Sequence, residues 1–262
     1  MVKAIVAGAS GRMGRKIISA ISQTDGIELS GAFEKKGHPD IGRDAGDVAG
    51  IGNIGVKIEG SFEDVIERGD VLIDFTVPEA TLYNAKLAAK KGLPMVIGTT
   101  GFTAEMMNEL RETVKDIPCV ISPNMSIGVN VLFKIVADVC RILGEEYDVE
   151  IIEAHHHFKK DAPSGTALRI AEIIASQRKA SFIYGRKGIL GERKKEEIGI
   201  HAIRAGDIVG EHIVIFGGEG ERIELVHRAH SRDCFAKGAV RAALWIVGKK
   251  PGIYSMQDVL GI

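Results

Sequence analysis

Residues 2–14 of the sequence, VKAIVAGASGRMG, join a short valine- and isoleucine-rich run to three spaced glycines. The apolar run predicts a buried strand, and the amphipathic pattern after it predicts a helix. Gly8, Gly11 and Gly14 fall between these two elements, where a dinucleotide-binding loop has to lie. Glycine lets the backbone approach a pyrophosphate, and the start of the helix offers it free N–H groups. Ser10 replaces the middle glycine of the GxGxxG pattern, so the prediction depends on the strand–loop–helix context.

The first half of the chain repeats this alternation of strand and helix. Short apolar runs alternate with stretches of helical periodicity, which predicts βαβ units, a parallel sheet and helices on both of its faces. The predicted strands cover about residues 2–7, 27–33, 71–76, 94–98 and 118–122, the predicted helices cover about residues 12–22, 61–68, 79–91 and 103–115, and a polar, glycine-rich stretch covers about residues 35–55.

The pattern changes after Ser126, where we place a domain boundary. Strands with one polar face, joined by short turns, predict a mixed or antiparallel sheet in this part. The expected fold class is therefore α/β, with a Rossmann-type parallel-sheet nucleotide domain and a smaller α+β domain with a mixed sheet. In this second part the predicted helices cover about residues 127–143, 164–178 and 234–247, the strands cover 147–154, 198–204, 209–216 and 222–229, and residues 181–197 are a predicted polar loop.

The composition excludes several functional classes. Of 262 residues, 45% are hydrophobic, which is ordinary for a globular protein and too high for a disordered one. Lys and Arg total 34, Asp and Glu total 35, and the net charge of −1 argues against a broad nucleic-acid or membrane surface. There is no run of about 18 apolar residues to span a membrane, and the amino-terminal segment predicts a strand rather than a signal peptide. Cys119, Cys140 and Cys234 lack CxxC spacing, which predicts reduced thiols and a cytoplasmic protein.

A second feature of a nucleotide site follows the second predicted strand. Glu34 lies twenty residues after Gly14, where an acidic residue would bind the adenosine ribose hydroxyls. Lys35 and Lys36 come next and could attract a 2′-phosphate, so we expect both NADH and NADPH to be used. The alternative is a tight turn followed by ordinary surface charges.

Two further loops of small residues follow predicted strands. Residues 98–101 are GTTG, and residues 122–126 are SPNMS. Ligands bind at the carboxyl edge of parallel sheets, so the three loops together favour a cofactor cleft. Each loop taken alone is equally compatible with a plain connection.

The densest polar segment of the chain is EAHHHFKKDAPSGTA at residues 153–167. Neighbouring residues of a strand point to opposite faces, so only His155 and His157 could share a metal ion, and no further ligand follows at suitable spacing. We therefore expect no metal. A solvated loop with surface histidines is the plain structural alternative.

Proton transfer and anion binding fit this segment better. A histidine exchanges protons near neutral pH, and Lys159 supplies a fixed cation or a second proton donor. Ser164 is a candidate helix N-cap, and the free N–H groups near Gly165 and Thr166 would accept a carboxylate or a phosphate. The segment therefore predicts a small anionic substrate.

The same segment resembles the signature of the dihydrodipicolinate reductase family. Four other stretches resemble that family in the same order, so the resemblance spans essentially the whole chain. It implies reduction of the dihydrodipicolinate precursor to tetrahydrodipicolinate by NADH or NADPH, on the route to diaminopimelate and lysine. The four stretches are GASGRMG at residues 8–14, VIGTTGF at 96–102, SPNMSIGVN at 122–130 and HRAHSRDCFAKGAVRAALWIVGKKPGIYSMQDVL at 227–260.

The resemblance also implies roles for individual residues. His155 would be the proton donor or acceptor and Lys159 a proton donor. The substrate, a small dicarboxylate, would be held by His156, Gly165 and Thr166. The cofactor would be lined by Gly8, Ala9, Ser10, Gly11, Arg12, Met13, Glu34, Lys35, Gly98, Thr99, Thr100, Ser122, Pro123, Asn124 and Met125.

The architecture implied by the resemblance is a homotetramer formed through the second domain. A closing helix would return to the nucleotide domain, which would make that domain discontinuous. We accordingly expect a dinucleotide-binding domain of residues 1–126 with about 235–262, and a substrate-binding and oligomerisation domain of residues 127–234.

Two rival functions stay open at this point. One is another two-domain nicotinamide oxidoreductase, for which the segment around His155 and Lys159 would be untypical. The other is a non-catalytic nucleotide-binding module, which would need the glycine loop alone. The sequence departs from the family pattern at His157 and Phe158, with no indication that the chemistry is lost, and Arg232 is a further candidate contact.

Overall fold

The computed structural model describes residues 1–262, and its contacts divide the chain into two units. The first unit comprises Met1–Ile127 and Arg232–Gly261, and the second comprises Gly128–Ser231. The strands are β1 (Val2–Ala7), β2 (Ile27–Phe33), β3 (Ile58–Glu59), β4 (Val71–Asp74), β5 (Met95–Ile97), β6 (Pro118–Ile121), β7 (Asp148–His155), β8 (Ser181–Tyr184), β9 (Glu197–Arg204), β10 (Gly210–Gly217), β11 (Arg222–Ala229) and β12 (Gly252–Tyr254). The α-helices are α1 (Arg12–Ser22), α2 (Ala45–Ala49), α3 (Pro78–Lys91), α4 (Ala104–Val114), α5 (Ile127–Leu143), α6 (Gly165–Ala175), α7 (Asp233–Ile246) and α8 (Met256–Leu260).

The first unit is built on a seven-stranded sheet in the order β12-β6-β5-β4-β1-β2-β3. All of its strand pairs are parallel, and its interior strand β1 is buried from Ala4 onward. Ile17 of α1 and Val240 of α7 pack in the core on one face, while Leu82 of α3 and Leu110 of α4 pack in the core on the other. The Rossmann-type parallel sheet with helices on both faces is thereby confirmed.

The second unit contains a five-stranded sheet in the order β11-β10-β7-β9-β8. β10 is antiparallel to β7 and β11, whereas β9 is parallel to β7 and β8, so the sheet is mixed as expected. One face packs on α5 and α6, through residues such as Val136 and Ile170 against Ile151 and Phe216. The side chains that alternate with these along the strands point to the opposite face.

The structure departs from the predicted elements where these are short or lie at a sheet edge. The helix expected over residues 61–68 is a single 3-10 turn at Ile66–Arg68, because Phe62 and Val65 turn into the core. The expected loop over residues 181–197 begins with the edge strand β8. No predicted element corresponds to β3, β12, α2 or α8, which are two to five residues long and carry too little periodicity to detect. None of the helices combines the length and apolar character of a membrane span.

Candidate functional site

The glycine loop lies between β1 and α1, with its backbone turned back on itself. Gly8 adopts the left-handed region at φ 61°, and the Gly11 N–H donates to the Gly8 carbonyl at 2.9 Å. A Cβ on Gly14 would lie 2.1 Å from that same carbonyl oxygen, so only glycine fits. Ala9 is buried and Met13 packs against the core, so these two side chains turn away from the surface of the loop. Backbone N–H groups at a helix start are what a phosphate site requires.

The carboxylate of Glu34 is hydrogen-bonded to the glycine loop. Oε1 accepts a hydrogen bond from the Ser10 N–H at 3.0 Å, and Oε2 accepts one from the Lys35 N–H at 3.2 Å. The end of β2 and the glycine loop therefore form one surface. The side chains of Arg12, Lys35 and Lys36 are exposed at this surface, and all three are cationic.

A cavity of about 840 Å³ opens beside the loop, bounded by Gly8, Glu34 and Lys35 on one side. Its apolar wall includes Phe33 and Phe62, whose rings stack with their centroids 5.2 Å apart. Sequence reasoning missed Phe62 because its neighbours predict an ordinary helix, and only the folded chain brings it to the end of β2. The cavity and the phosphate-type loop together suit a nucleotide.

A buried carboxylate at the end of β4 organises the neighbouring loop. Asp74 is fully buried, and its Oδ1 accepts hydrogen bonds from the Thr76 N–H at 3.0 Å, from the Thr76 hydroxyl at 2.6 Å and from the Thr81 hydroxyl at 3.0 Å. Oδ2 accepts one from the Asn84 amide at 2.7 Å. Thr99 joins the same cluster, since its hydroxyl accepts from the Thr76 N–H at 3.0 Å. The VLIDFT strand was predicted without any role for Asp74.

The residues of the predicted GTTG loop, 98–101, differ in their exposure. Thr99 is buried in the Asp74 cluster, so its side chain supports the loop, while Thr100 is exposed at the sheet edge. Gly98 faces the ring of Phe75, and a Cβ there would lie 2.2 Å from two ring carbons. Gly8 lies close to this group as well, because a Cβ on it would be 3.0 Å from the Thr76 methyl carbon. Two of the three predicted loops therefore meet.

The third loop, residues 122–126, joins the same edge. The Ser122 N–H donates to the carbonyl of Ile97 at 3.1 Å, and the Ser122 hydroxyl donates to the carbonyl of Asn124 at 2.8 Å. Ser122 and Met125 are buried, whereas Pro123 is exposed and Asn124 half-buried. The residues of this loop that a ligand could reach are therefore Pro123 and Asn124.

In the second unit, His155 ends β7 and lies against a carboxylate on the same face of the strand. Its Nδ1 is 2.5 Å from Oε2 of Glu153, which is fully buried. Arg204 donates to both oxygens of Glu153, at 2.8 and 2.7 Å, and the Ser164 N–H donates to Oε1 at 3.0 Å. Burial raises the pKa of Glu153, but the hydrogen bonds from His155 and Arg204 outweigh it and lower the pKa to about 2.

Ser164 is the N-cap of α6, as predicted from the sequence. Its hydroxyl oxygen accepts from the Ala167 N–H at 3.2 Å and lies 3.1 Å from Nε2 of His212. Burial lowers the pKa of His212 to about 3, so this ring is neutral. Gly165 is exposed and Thr166 half-buried in the first turn of α6, and the start of a helix attracts an anion.

Lys159 lies in the loop that joins β7 to α6. Its Nζ donates to both carboxylate oxygens of Asp161, at 2.9 and 2.8 Å, and Arg204 donates to the Asp161 carbonyl at 2.6 Å. His156 is half-buried in the same loop, and His157 is exposed with its Nδ1 2.9 Å from the carbonyl of Gly206. The predicted acid–base and anion-binding residues therefore share one end of the second unit.

The structure contains no group of three or more His, Cys, Asp or Glu side chains placed to hold a metal ion. Glu153, Arg204 and His212 are the residues of this region that sequence reasoning missed. Arg204 and His212 are 51 and 59 positions from Glu153 along the chain, and only the pairing of β7 with β9 and β10 brings them near it. Arg232, the further candidate, precedes α7 and is half-buried.

Acid should destabilise the second unit through its buried carboxylates. The pKa of Glu153 is about 2 instead of its ordinary 4.5, so its stabilisation is complete above pH 4.5 and is lost as the pH falls towards 2. The shift corresponds to about 3 kcal/mol of free energy of unfolding. Urea denaturation across this pH range measures the effect, and Glu153→Gln should flatten the dependence. A free energy of unfolding that stays constant down to pH 3 would contradict this expectation.

Comparisons with known proteins cover both units. Residues 2–125 match the family model for the amino-terminal part of dihydrodipicolinate reductase, and residues 128–260 match that for its carboxyl-terminal part. A 4-hydroxy-tetrahydrodipicolinate reductase of Syntrophus aciditrophicus is 54% identical, covering 100% of this chain and 99% of its own. The enzyme of the same name from Geotalea uraniireducens is 55% identical, with both chains fully covered at 100%.

A solved structure agrees with this assignment. Dihydrodipicolinate reductase from Paenisporosarcina sp. TG-14, solved with dipicolinate bound, is 26% identical and superposes with a TM-score of 0.78 over 98% of each chain. An amine dehydrogenase from Mycobacterium smegmatis, at 14% identity and a TM-score of 0.60, shares the fold alone. The strand–glycine loop, the histidine–lysine segment and the two family matches agree along the whole length, and the chain belongs to the dihydrodipicolinate reductase family.

Proposed function

We propose that the protein catalyses the 4-hydroxy-tetrahydrodipicolinate reductase reaction, in which NADH or NADPH is consumed and (S)-2,3,4,5-tetrahydrodipicolinate is formed for diaminopimelate and lysine biosynthesis. The observation that carries the proposal is the grouping of His155, Lys159 and the open start of α6 at one end of the second unit. The names of the relatives that are 54–55% identical over the full chain support it.

The first unit would hold the nucleotide. The N–H groups of Arg12 and Met13 in the first turn of α1 would bind the pyrophosphate, and Glu34 would accept hydrogen bonds from the adenosine ribose. The glycine loop fits this role because the loop and the start of α1 approach so closely that a Cβ at Gly14 would collide with the Gly8 carbonyl oxygen. Thr100 and Asn124 offer polar groups at the same sheet edge. When bound, the dihydronicotinamide supplies the hydride.

The second unit would bind the dicarboxylate and donate the proton to it. The N–H groups of Gly165 and Thr166 at the start of α6, together with His156, would hold the substrate carboxylates. Reduction by hydride creates a position on the substrate that must gain a proton, and His155 and Lys159 are the acids placed for it. Nδ1 of His155 is engaged by Glu153, so Nε2 is the atom that would exchange the proton. Asp161 holds the Lys159 ammonium group in the same loop.

A single assay tests the proposed reaction. The substrate is generated in situ from pyruvate and aspartate semialdehyde, and the absorbance of NADH is followed. We expect oxidation of NADH that depends on the substrate. Nucleotide binding without oxidation would favour a non-catalytic binding module, and oxidation with a different substrate would favour another nicotinamide oxidoreductase.

Both nucleotides should serve as cofactors, because Glu34 suits a free ribose hydroxyl and Lys35 and Lys36 suit a 2′-phosphate. Replacing Lys35 and Lys36 by alanine should raise KM for NADPH about tenfold, as expected for the loss of charge-assisted hydrogen bonds to a phosphate, and should leave KM for NADH nearly unchanged. Steady-state kinetics with each nucleotide measure the ratio. Lys90→Ala, at an exposed position of α3, is the control. Equal changes for the two nucleotides would contradict the assigned contacts.

The second unit would also assemble the protein into a homotetramer. The side of the sheet opposite α5 and α6 carries a row of adjacent apolar side chains on β7, β10 and β11: Ile152, Ile213 and Val226. Val226 on β11 and Ile203 on β9 are 43% and 47% exposed, so this sheet face presents exposed apolar side chains to another copy of the chain. We expect light scattering to give the mass of a tetramer, and Ile203→Asp with Val226→Asp to give smaller species. A wild-type monomer would exclude this assembly.

We also propose that the enzyme works in the cytoplasm. Cys119, Cys140 and Cys234 are all free thiols, which is the usual state in a reducing compartment. Fractionation of cells that express the protein tests this location.

A further inference from the structure

A fully buried carboxylate lies behind the proposed acid–base histidine. We propose that Glu153 is a positioning residue, which holds the His155 ring in a single tautomer and orientation and so leaves Nε2 as its proton-exchanging atom. The catalytic consequence rests on the proposed function, whereas the geometry stands without it. Glu153 itself would touch neither substrate nor cofactor.

The tautomer follows from the charge on Glu153. An ionised carboxylate can only accept hydrogen bonds, so a nitrogen 2.5 Å from its Oε2 must carry the hydrogen. The lowered pKa of Glu153, about 2, keeps this carboxylate ionised at any pH at which the protein works. Nδ1 of His155 is therefore the donor in both charge states of the ring, and Nε2 alone gains or loses a proton.

Both carboxylate oxygens of Glu153 accept hydrogen bonds from neighbouring residues. Arg204 reaches from β9 and donates to both of its oxygens, and the Ser164 N–H at the start of α6 donates to Oε1. With the contact from His155, four donors surround the carboxylate. A side chain with that many fixed partners cannot rotate away from the ring it orients.

Two residues of β10 beside the His155 ring add neither a side chain at Nε2 nor a second charge. Gly210 lies beside the ring on β10, and a Cβ at that position would be 3.1 Å from Nε2. His212 packs edge-on at 5.3 Å between ring centroids, and burial lowers its pKa to about 3, so it brings no second charge. Glu153 is therefore the carboxylate that balances a protonated His155.

The experiment compares two glutamates of β7. Glu150, three residues earlier on the opposite face, is bound in a similar way by Arg186 at 2.8 Å, Arg193 at 3.2 Å and His201 at 2.7 Å. Hydrogen bonds from Arg186 and His201 outweigh burial and lower its pKa to about 2 as well. Glu150→Gln is thus a matched control for Glu153→Gln, equal in charge and similar in the ion pairs removed.

Two readouts separate positioning from general damage. Nitrogen-15 NMR of the histidine rings reports which nitrogen of His155 carries the hydrogen, and steady-state kinetics report kcat and KM. We expect Glu153→Gln to abolish the pure Nδ1–H tautomer, because the new amide can donate to Nδ1, and to lower kcat about 10²-fold. The dissociation constant of the nucleotide should not change. Glu150→Gln should keep the tautomer and kcat.

A His155→Ala background adds a decisive comparison. Glu153→Gln should lower kcat no further there, since the side chain through which it acts is gone. Equal losses of kcat in Glu150→Gln and Glu153→Gln, or a tautomer that survives Glu153→Gln, would overturn the proposal. Should Glu153→Gln fail to fold, Glu153→Asp keeps the charge for Arg204 but withdraws it from His155, and the same shift of tautomer is expected. If the wild type does not oxidise NADH, the proposed reaction fails while the NMR comparison still decides the role of Glu153.

Discussion

Replacing both His155 and Lys159 by alanine should lower kcat by about 10²–10⁴-fold, the range that general acid–base groups contribute. These residues are the proposed donors of the proton that the reduced substrate must gain. The nucleotide should bind as in the wild type, since neither residue belongs to the first unit. Stopped-flow kinetics and nucleotide fluorescence measure the two quantities.

The adjacent residues of the same segment provide the control. His157 and Lys160 are exposed, and His157 is bonded to the Gly206 carbonyl. His157→Ala with Lys160→Ala removes the same two residue types from the same loop and should change kcat little. Undiminished turnover in the His155 and Lys159 double variant would remove these two residues from the mechanism but leave the proposed reaction standing.

Gly14→Ala should damage the first unit more than any other single methyl group in the glycine loop. The added Cβ would lie 2.1 Å from the Gly8 carbonyl oxygen and 2.8 Å from Cα of Ala9, and all of these atoms belong to rigid backbone. The helix or the loop has to move, at a cost of about 1–3 kcal/mol in stability, as for other overpacked sites. The shift also disturbs the N–H groups proposed to bind the pyrophosphate, so nucleotide affinity should fall together with stability.

Gly60→Ala makes the same chemical change in the same unit where there is room. A Cβ there would meet only the Ile41 side chain, at 3.7 Å, which is an ordinary contact. Thermal denaturation should therefore separate the two variants clearly. Equal melting temperatures for Gly14→Ala and wild type would show that the loop relaxes at no cost.

The sequence allowed the strand–glycine loop–helix unit, the parallel sheet and the N-cap at Ser164 to be predicted, because each is encoded by residues close together in the chain. The cluster around Asp74 and the contact of Glu153 with Arg204 were not predictable, since they join residues from separate elements. The sequence also did not predict which side chains of a loop point into the protein. The loops at residues 98–101 and 122–126 lie at the expected edge of the sheet, yet Thr99, Ser122 and Met125 are buried. Spacing locates a loop, whereas packing decides which of its atoms a ligand can meet.

The length of β7 is under a constraint that its composition does not reveal. Glu150 and Glu153 are three positions apart along the strand, so they face opposite sides of the sheet, each against its own arginine partners. Two side chains of β7 also lie beside a glycine of an adjacent strand: Glu150 lies beside Gly199 of β9, and His155 lies beside Gly210 of β10. Insertion or deletion of one residue between them would transpose the two faces, burying the wrong carboxylate and misaligning both glycines. Length variation in homologues and in engineered libraries should therefore concentrate in the 185–196 loop and spare this strand.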